Sequence, residues 1–237
     1  MNTMPYTLDT DDPNAAPMGL IVLQTDETIE PEFSKFFAED PSPFFVSRIP
    51  SAKSVSTDSL AEMERLLPAA ADLLPKARPY KVVGYGCTSA SSVIGSDRVE
   101  QMVQQTCDVA TVTNPLRAAI ACAKDQGVSK FALLSPYVEE VNEPLRAAFA
   151  QGGVSTDVFG TFGEAEEAKV VRISTRSIVE AACILGSDSQ VDGVFLSCTN
   201  LRTLDAIIQI REKIGKPVLS SNQSLAWHMG RLNATQL

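Results

Sequence analysis

Two cysteines carry the chemistry that the sequence offers, because the residues around them are alike. Cys87 lies in the segment Gly-Cys-Thr-Ser at 86–89, and Cys198 lies in Ser-Cys-Thr-Asn at 197–200. A thiol between a buried strand and the first turn of a helix has a lowered pKa, so one thiol can act as base or nucleophile while its protonated partner acts as acid. Two such thiols on opposite faces of one carbon suit racemisation, or isomerisation of a double bond.

The polar residues after each cysteine are candidates for binding a carboxylate. Thr88 and Ser89 follow the first cysteine, and Thr199 and Asn200 follow the second. Free backbone N–H groups at the start of a helix, with hydroxyl and amide donors, hold anions well. The same residue types also cap helices where there is no site. The duplication of the motif, rather than either loop alone, therefore favours a binding site.

The two cysteine segments belong to a longer repeat. Cys87 follows Gly19, which opens a predicted strand, by 68 residues, and Cys198 follows Lys130, which opens another, by the same 68. A Thr-Asn pair ends 27 residues after the first cysteine and a Ser-Asn pair ends 24 after the second. The simplest interpretation is two similar α/β halves that face each other across a cleft. Each half presents its cysteine at the carboxyl end of a strand, where open parallel sheets bind ligands.

Strands and helices alternate along the chain, which predicts an α/β fold with parallel sheets covered by helices. The predicted strands cover residues 19–23, 81–85, 109–112, 130–134, 154–159, 191–196 and 217–219. The predicted helices cover residues 60–74, 98–107, 115–127, 144–151, 163–185, 201–214 and 223–232. Cys107, Cys122 and Cys183 lie in helical stretches and are interpreted as small buried hydrophobes. His228 is interpreted as a packing or surface residue, and the acidic cluster at 164–167 as an exposed first helical turn.

The composition argues against several classes of partner. The net charge is −9, and phosphate binding needs clustered Lys and Arg, so we expect no nucleic acid. The five cysteines show no CxxC spacing and the single histidine lies far from them, so we expect no metal. Gly84-Tyr85-Gly86 lacks the third glycine and acidic partner of a dinucleotide fingerprint, so we expect no cofactor. Without a membrane-length apolar run or a signal segment in the acidic first seventeen residues, we expect a cytoplasmic protein that does not bind membranes.

Several segments carry a family resemblance. They are residues 84–89 (GYGCTS), 135–138 (SPYV), 195–201 (FLSCTNL) and 220–228 (SSNQSLAWH). They resemble the aspartate/glutamate racemase superfamily, nearest to its maleate isomerase and arylmalonate decarboxylase branches and especially to proteins of ectoine utilisation. The resemblance covers nearly the whole chain from about Met18.

The resemblance implies a two-domain, pseudo-symmetric α/β fold. The first domain comprises residues 1–116 with 217–237, so that the last segment packs on it, and the second comprises residues 117–216. Relatives also imply a small homo-oligomer.

The resemblance further implies roles for individual residues. Cys87 would be the nucleophile or base and Cys198 the opposing acid. The residues implied to bind the substrate carboxylate are Thr88, Ser89, Tyr137, Thr199 and Asn200. The decarboxylase branch keeps only the second cysteine. Because this chain has both, isomerisation or racemisation is favoured over decarboxylation.

Asp26 departs from the maleate isomerase pattern, which has an asparagine near the end of the first strand. A carboxylate there would repel a second substrate carboxylate unless it were protonated. It would instead suit an ammonium group or assist Cys87 as a base, and amino-acid racemases of the superfamily have an aspartate after this strand. The alternative interpretation of Asp26 is a turn residue or helix cap.

We therefore expect a cofactor-independent, two-cysteine racemase or isomerase of a small, amino-acid-like carboxylate, such as a product of ectoine breakdown. The nearest alternative is a maleate cis–trans isomerase. An arylmalonate-decarboxylase-like enzyme, a non-catalytic carboxylate-binding protein and a redox-sensing cysteine pair also remain open.

Overall fold

The buried strands form two parallel sheets of four strands each, one in each half of the chain. The computed structural model describes residues 3–9 and 16–234. The strand orders are β2-β1-β3-β4 and β6-β5-β7-β8, so the two sheets repeat one topology. The two-domain α/β fold predicted from the sequence is confirmed at this level.

The first half alternates strands and helices. Its elements are β1 (Met18–Leu23), α1 (Ile29–Phe36), β2 (Phe44–Ile49), α2 (Thr57–Asp72), β3 (Tyr80–Gly86), α3 (Thr88–Ile94), α4 (Ser96–Gln104), β4 (Val109–Thr113) and α5 (Pro115–Asp125). Strand β1 is buried at every residue, as expected of a central parallel strand that helices cover on both faces.

The second half repeats the pattern. Its elements are β5 (Phe131–Tyr137), α6 (Glu139–Gln151), β6 (Phe159–Glu164), α7 (Glu167–Val170), α8 (Thr175–Gly186), β7 (Gly193–Leu196), α9 (Leu204–Ile214), β8 (Val218–Ser220) and α10 (Ser221–Ala234). The cysteines follow the equivalent central strands β3 and β7, at their carboxyl ends, as the repeat predicts.

The two halves exchange their last helices. Leu225 and Met229 of α10 pack in a core cluster with Met18 and Leu20 of the first sheet. Helix α5 in turn packs under the second sheet, where Leu116 and Ala119 join Phe131, Phe195 and their neighbours in another cluster. The exchange fixes the two halves against each other, and so fixes the edges at which the two cysteines lie.

The predicted domain boundary at residue 217 needs a correction. Val218–Ser220 forms hydrogen bonds with β7, with Val194 opposite Val218, so this strand belongs to the second sheet. Helix α10 is the part of the last segment that returns to the first sheet. The predicted tail at 1–17 and the last residues of the chain lie partly outside the described residues.

Two further expectations about elements were wrong, and two elements were not predicted. The strand expected at 154–159 is β6 at Phe159–Glu164, and the long helix expected at 163–185 is divided into α7 and α8. Gly163 lies in β6 with a φ of 67°, so the helix cannot begin there, and the break between α7 and α8 falls at residues 171–174. Helix α1 and strand β2 fall in a region for which no element was predicted. No helix within the described residues is long and apolar enough to span a membrane.

Candidate active site

The loops that carry the two cysteines are hydrogen-bonded to each other where the two sheets meet. The Thr199 hydroxyl donates to the carbonyl oxygen of Gly86 at 3.2 Å. The Ser221 hydroxyl oxygen accepts from the backbone N–H of Cys198 at 3.0 Å and from the Thr88 hydroxyl at 2.8 Å. The cysteine-bearing loops of the two halves therefore form one junction, as the repeat predicts.

Cys87 lies at the N-cap of helix α3, where its sulfur accepts the backbone N–H of Ala90 at 3.4 Å. It is only 5% exposed. The pKa of the Cys87 thiol is raised to about 12, chiefly by burial and also by the carboxylates of Glu167 and Asp26, against the lowering effect of the Ala90 N–H. The expectation that the helix terminus lowers this pKa was wrong, because the loss of hydration outweighs the backbone donors.

Cys198 lies in a different local structure. Its φ is 99°, the only positive value at a described residue other than glycine. Its sulfur lies 3.0 Å from the Tyr137 hydroxyl and accepts the N–H of Asn200 at 3.3 Å. Helix α9 begins only at Leu204, not at residue 201 as expected, so Cys198 precedes a turn rather than a helix. Burial, followed by the charge of Glu167, raises its pKa well above the usual value, again opposite to expectation.

Only one of the two carboxylate oxygens of Asp26 accepts hydrogen bonds. Its Oδ1 accepts the backbone N–H groups of Thr28 and Ile29, each at 2.8 Å, at the start of helix α1. Its Oδ2 is buried and makes no hydrogen bond to any described residue. Burial raises the pKa of Asp26, and the two backbone donors, the Thr199 side chain and the charge of Arg48 oppose the shift. The interpretation of Asp26 as a turn residue or cap fits its Oδ1, and its Oδ2 stays buried.

Glu167 was missed in the sequence, where it was interpreted as part of an exposed helical turn. Its neighbour Glu166 is exposed, but Glu167 is 2% exposed. Its Oε1 accepts the Tyr137 hydroxyl at 2.6 Å and its Oε2 accepts the Asn200 side-chain amide at 2.8 Å. Burial raises its pKa, and these two donors oppose the shift. Glutamates at 164, 166 and 167 look alike in sequence, so nothing in the spacing distinguished the buried one.

A small cavity opens beside Cys87. Its lining includes Ser89, Tyr137 and Glu167, together with Leu23, Ser51, Ala52, Ser54, Val55, Ser59, Leu60 and Met63. The enclosed volume is about 20 Å³, room for roughly one water molecule. No Lys or Arg is among the described residues that line it. Of the predicted site residues, Cys87, Ser89 and Tyr137 line this cavity, and Cys198 and Asp26 do not.

The other predicted binding residues hold the loops together. The hydroxyl groups of Thr88 and Thr199 each donate a hydrogen bond to the other half of the molecule, as described above. Asn200 joins Glu167 to the first half, since its Oδ1 accepts the Glu27 N–H at 2.9 Å. Their roles in contacting a substrate stay predictions.

Two loops from opposite halves close over the cavity. The N–H of Val55 donates to the carbonyl oxygen of Ala165 at 2.9 Å, and the N–H of Glu167 donates to that of Lys53 at 3.1 Å. Ser54 and Glu166 form an isolated antiparallel bridge between the same segments. This is a closed arrangement, and a substrate larger than water requires these loops to separate.

The remaining candidates lie away from this junction. The His228 Nδ1 lies 2.7 Å from the Thr113 hydroxyl, and burial lowers the pKa of His228, which fits a packing residue. Cys107 and Cys122 are buried and Cys183 is partly buried. Within the described residues, no group of three or more His, Cys, Asp or Glu is arranged to hold a metal ion.

The sequence is similar to those of known enzymes. The family model of arylmalonate decarboxylase matches residues 18–236. Arylmalonate decarboxylase from Bordetella bronchiseptica is 32% identical over 123 residues, which cover 51% of this chain and 48% of that protein. Maleate isomerase from Alcaligenes faecalis is 24% identical over 219 residues, covering 86% of this chain and 85% of the relative.

Solved structures extend the likeness to the fold. A double mutant of arylmalonate decarboxylase in the liganded form has a TM-score of 0.80 at 23% identity, with 94% of each chain covered. Nocardia farcinica maleate cis–trans isomerase bound to Tris has a TM-score of 0.78 at 25% identity, with 92% of each chain covered. A cysteine-to-serine mutant of the Nocardia enzyme, with a TM-score of 0.77 at 24% identity and the same coverage, carries a covalently bound succinylcysteine intermediate.

Proposed function

Because the chain belongs to the arylmalonate decarboxylase family, we propose that it is a cofactor-independent, two-cysteine racemase or isomerase of an amino-acid-like carboxylate. The chain is an isomerase-like enzyme, since its relatives over most of its length are maleate isomerases. The proposal adds the substrate class and the residues that act on it.

The unpaired Oδ2 of Asp26 carries this proposal. A buried carboxylate oxygen without a partner is costly unless a donor or a cation meets it when the site is filled. An ammonium group is such a cation, although Asp26 itself is not among the residues that line the cavity beside Cys87. No basic residue lines the described cavity to attract a second carboxylate instead. A substrate with one carboxylate and one ammonium group meets these conditions.

The substrate carboxylate would lie on the opposite side, against donors. Ser89 lines the cavity and carries a hydroxyl group, whereas Tyr137 donates its hydroxyl proton to Glu167, so its predicted contact with the carboxylate would need that bond to break. Thr88, Thr199 and Asn200 would support this arrangement by holding the two cysteine loops in register.

The reaction follows from two thiols on opposite sides of one carbon. The substrate ammonium lowers the pKa of Cys87 by its charge, which favours the thiolate. The thiolate takes the α-proton, and Cys198 gives its S–H proton to the other face of the same carbon. In the reverse direction the two sulfurs exchange roles.

Exchange of the α-proton with solvent tests this proposal. The enzyme is incubated in D₂O with a panel of amino acids and diamino acids, and loss of the α-proton signal is followed by proton NMR. We expect exchange with at least one compound, abolished in Cys87→Ser and in Cys198→Ser. No exchange across the panel, or unchanged exchange in Cys87→Ser, would contradict the proposal.

Maleate cis–trans isomerisation is the second candidate, supported by the maleate isomerases among the relatives. Here the Cys87 thiolate would add to one carbon of the double bond while the Cys198 S–H gives its proton to the other, and the resulting succinyl thioether is of the kind seen in the Nocardia mutant. Rotation about the new single bond, return of the proton to the Cys198 sulfur and loss of the Cys87 sulfur would then release fumarate. Two substrate carboxylates need neutral Asp26 and Glu167, and the raised pKa of each carboxyl makes the neutral form accessible.

Conversion of maleate into fumarate would decide between the two candidates. The second candidate predicts fumarate formation that rises as the pH falls and is lost in both Cys→Ala variants.

Binding without turnover, with tolerance of serine at both cysteines, would instead favour a carboxylate-binding protein. A reversible disulfide between Cys87 and Cys198 that alters activity would favour a redox sensor.

The cellular setting completes the proposal. We place the enzyme in the cytoplasm as a small homo-oligomer, the arrangement expected from the composition and the family resemblance. Sedimentation velocity of the purified chain would test the assembly, and a monomer at micromolar concentration would contradict it.

A further inference from the structure

The side chains of Cys198, Tyr137 and Glu167 form one continuous chain of hydrogen bonds. The Cys198 sulfur lies 3.0 Å from the Tyr137 hydroxyl oxygen, which lies 2.6 Å from Oε1 of Glu167. The three residues are 4%, 4% and 2% exposed. A proton that leaves the Cys198 sulfur along this chain therefore meets the Tyr137 oxygen before it meets solvent.

The direction of the chain is set by Asn200. The side-chain Oδ1 of Asn200 accepts the N–H of Glu27 at 2.9 Å, so its amide nitrogen faces Glu167 and donates to Oε2 at 2.8 Å. The Tyr137 hydroxyl donates to the other oxygen. Since Glu167 accepts at both oxygens, the Tyr137 oxygen is left to accept the S–H of Cys198. The resting order is thus thiol to phenol to carboxylate.

We propose that Glu167 is the proton acceptor of Cys198 and acts through Tyr137. In one step the Cys198 S–H bond breaks and its proton forms a new O–H bond at Tyr137, while the original Tyr137 proton moves to Oε1 of Glu167. The negative charge passes from the carboxylate to the sulfur, and the phenol is neutral before and after. The reverse step returns the thiol. Glu167 is a positioning residue in this scheme, since it reaches the substrate carbon only through Cys198.

The relay supplies what the proposed function needs, and it rests on that function. A catalyst that inverts one carbon in both directions must use each sulfur as acid in one direction and as base in the other. Cys198 obtains both states from the same three groups. The hydrogen bond described for Cys87 comes from the N–H of Ala90, a donor that cannot take a proton away.

Glu167 must be ionised to accept a proton, which gives the relay a pH signature. Tyr137 and Asp26 act on the pKa of Glu167, and Glu167 acts in turn on both cysteines. Because burial raises the pKa of Glu167, the rate should fall on the acidic side at a pH above the ordinary glutamate value of about 4.3.

The relay is tested by measuring how the turnover rate of Glu167→Gln depends on pH. The substrate is the compound whose α-proton the wild type exchanges with solvent. The matched control is Glu166→Gln, an exposed carboxylate on the same loop that pairs with Lys169. We expect Glu167→Gln to lower kcat by about 10²-fold, a usual size for general acid–base catalysis, with little change in KM and no acidic limb. Tyr137→Phe should also lose the fall in rate at acidic pH, and Glu166→Gln should keep it. A limb that persists in Glu167→Gln, or an equal loss of rate at every pH, would overturn the relay.

A titration without substrate separates the relay from the proposed function. Cysteine is labelled with ¹³C at Cβ, the Cys198 resonance is assigned from its absence in Cys198→Ser, and its shift is followed with pH. Because the charge of Glu167 raises the pKa of Cys198, Glu167→Gln should make this thiol more acidic while turnover falls. An unchanged Cys198 titration would overturn the relay, even where no amino acid is turned over by the wild type and the proposed function itself fails.

Discussion

The two halves of the molecule share one fold but surround their thiols differently. Asp26 precedes Cys87 by 61 residues, and Tyr137 precedes Cys198 by the same 61. One carboxylate oxygen of Asp26 accepts hydrogen bonds from backbone N–H groups, and the other accepts none. Tyr137 instead contacts the sulfur of its own half and passes a hydrogen bond to Glu167. The repeat thus preserves the positions of the acting residues, while their side chains give each thiol its own proton environment.

The backbone at the two cysteines differs as well. Cys87 has an extended φ of −147° and leads directly into helix α3. Cys198 has a φ of 99°, and its N–H is held by the Ser221 hydroxyl. A residue with a side chain keeps such a φ only when its surroundings impose it, and such residues concentrate at functional sites. The second thiol is therefore held in place at a cost in stability that the first does not carry.

The largest expected effect comes from removing either thiol. Cys87→Ala and Cys198→Ala should each lower kcat by more than about 10³-fold, because both sulfurs act on one carbon as a unit. The double variant should be scarcely slower than either single one. Steady-state rates on the exchanging substrate measure this. A variant that keeps a tenth of the activity would mean that the two halves are not equal partners in the reaction.

Asp26→Asn should have the next largest effect. Removing the charge that meets a buried ammonium group should lower kcat/KM by about 10²-fold for an amino-acid substrate, as expected when a buried ion pair loses one partner. Tyr137→Phe, at the equivalent position of the other half, should act mainly on kcat. If Asp26→Asn left amino-acid turnover unchanged and raised the rate on maleate, the substrate class would have to be exchanged for the second candidate.

Glycine substitutions at Cys87 and Cys198 should show in the free energy of unfolding that the two backbone conformations differ in strain. Glycine adopts a positive φ without strain, so Cys198→Gly should be less destabilising than Cys87→Gly by about 1–3 kcal/mol. Urea unfolding of the two variants beside the wild type measures the difference in the free energy of unfolding. Equal losses would show that the fold does not strain Cys198.

The pH dependence of stability should show the smallest effect. The pKa of Asp26 is raised in the folded state. Its contribution to stability is therefore present below the unfolded value and is lost as the pH rises through the folded one. The wild type should lose stability relative to Asp26→Asn over that rise. Urea midpoints of both proteins at a series of pH values measure this, and a constant difference would contradict the raised pKa.

Much of the fold and the family could be predicted because both depend on local patterns. Apolar runs indicated the central strands, the equal spacing of the cysteines indicated two halves, and the motifs around Cys87 and Cys198 indicated the family. The position of strand β6 was not predicted because Phe159–Glu164 contains two glycines and is only partly buried. It therefore lacks the apolar run of a central strand. The confirmed parts rest on residues that are neighbours in sequence.

The site was less predictable, because burial decides its chemistry. Glu167 becomes a site residue when residues 53–55 and 165–167 bond across the cleft, a contact between distant segments. The direction of both cysteine pKa shifts was mistaken for the same reason. A helix terminus can be read from a motif, but the loss of hydration depends on what covers the thiol.

The most direct test of two opposed thiols is where the deuterium goes during the first turnovers in D₂O. A single enantiomer of the exchanging substrate is incubated with the enzyme, and both enantiomers are recovered early and analysed by mass spectrometry. The account predicts a product that carries deuterium at the α-carbon and a remaining substrate that keeps its proton, because one sulfur removes hydrogen and the other delivers it from the opposite face. A product that retains the original proton would mean that one base serves both faces, and it would contradict the paired roles of Cys87 and Cys198.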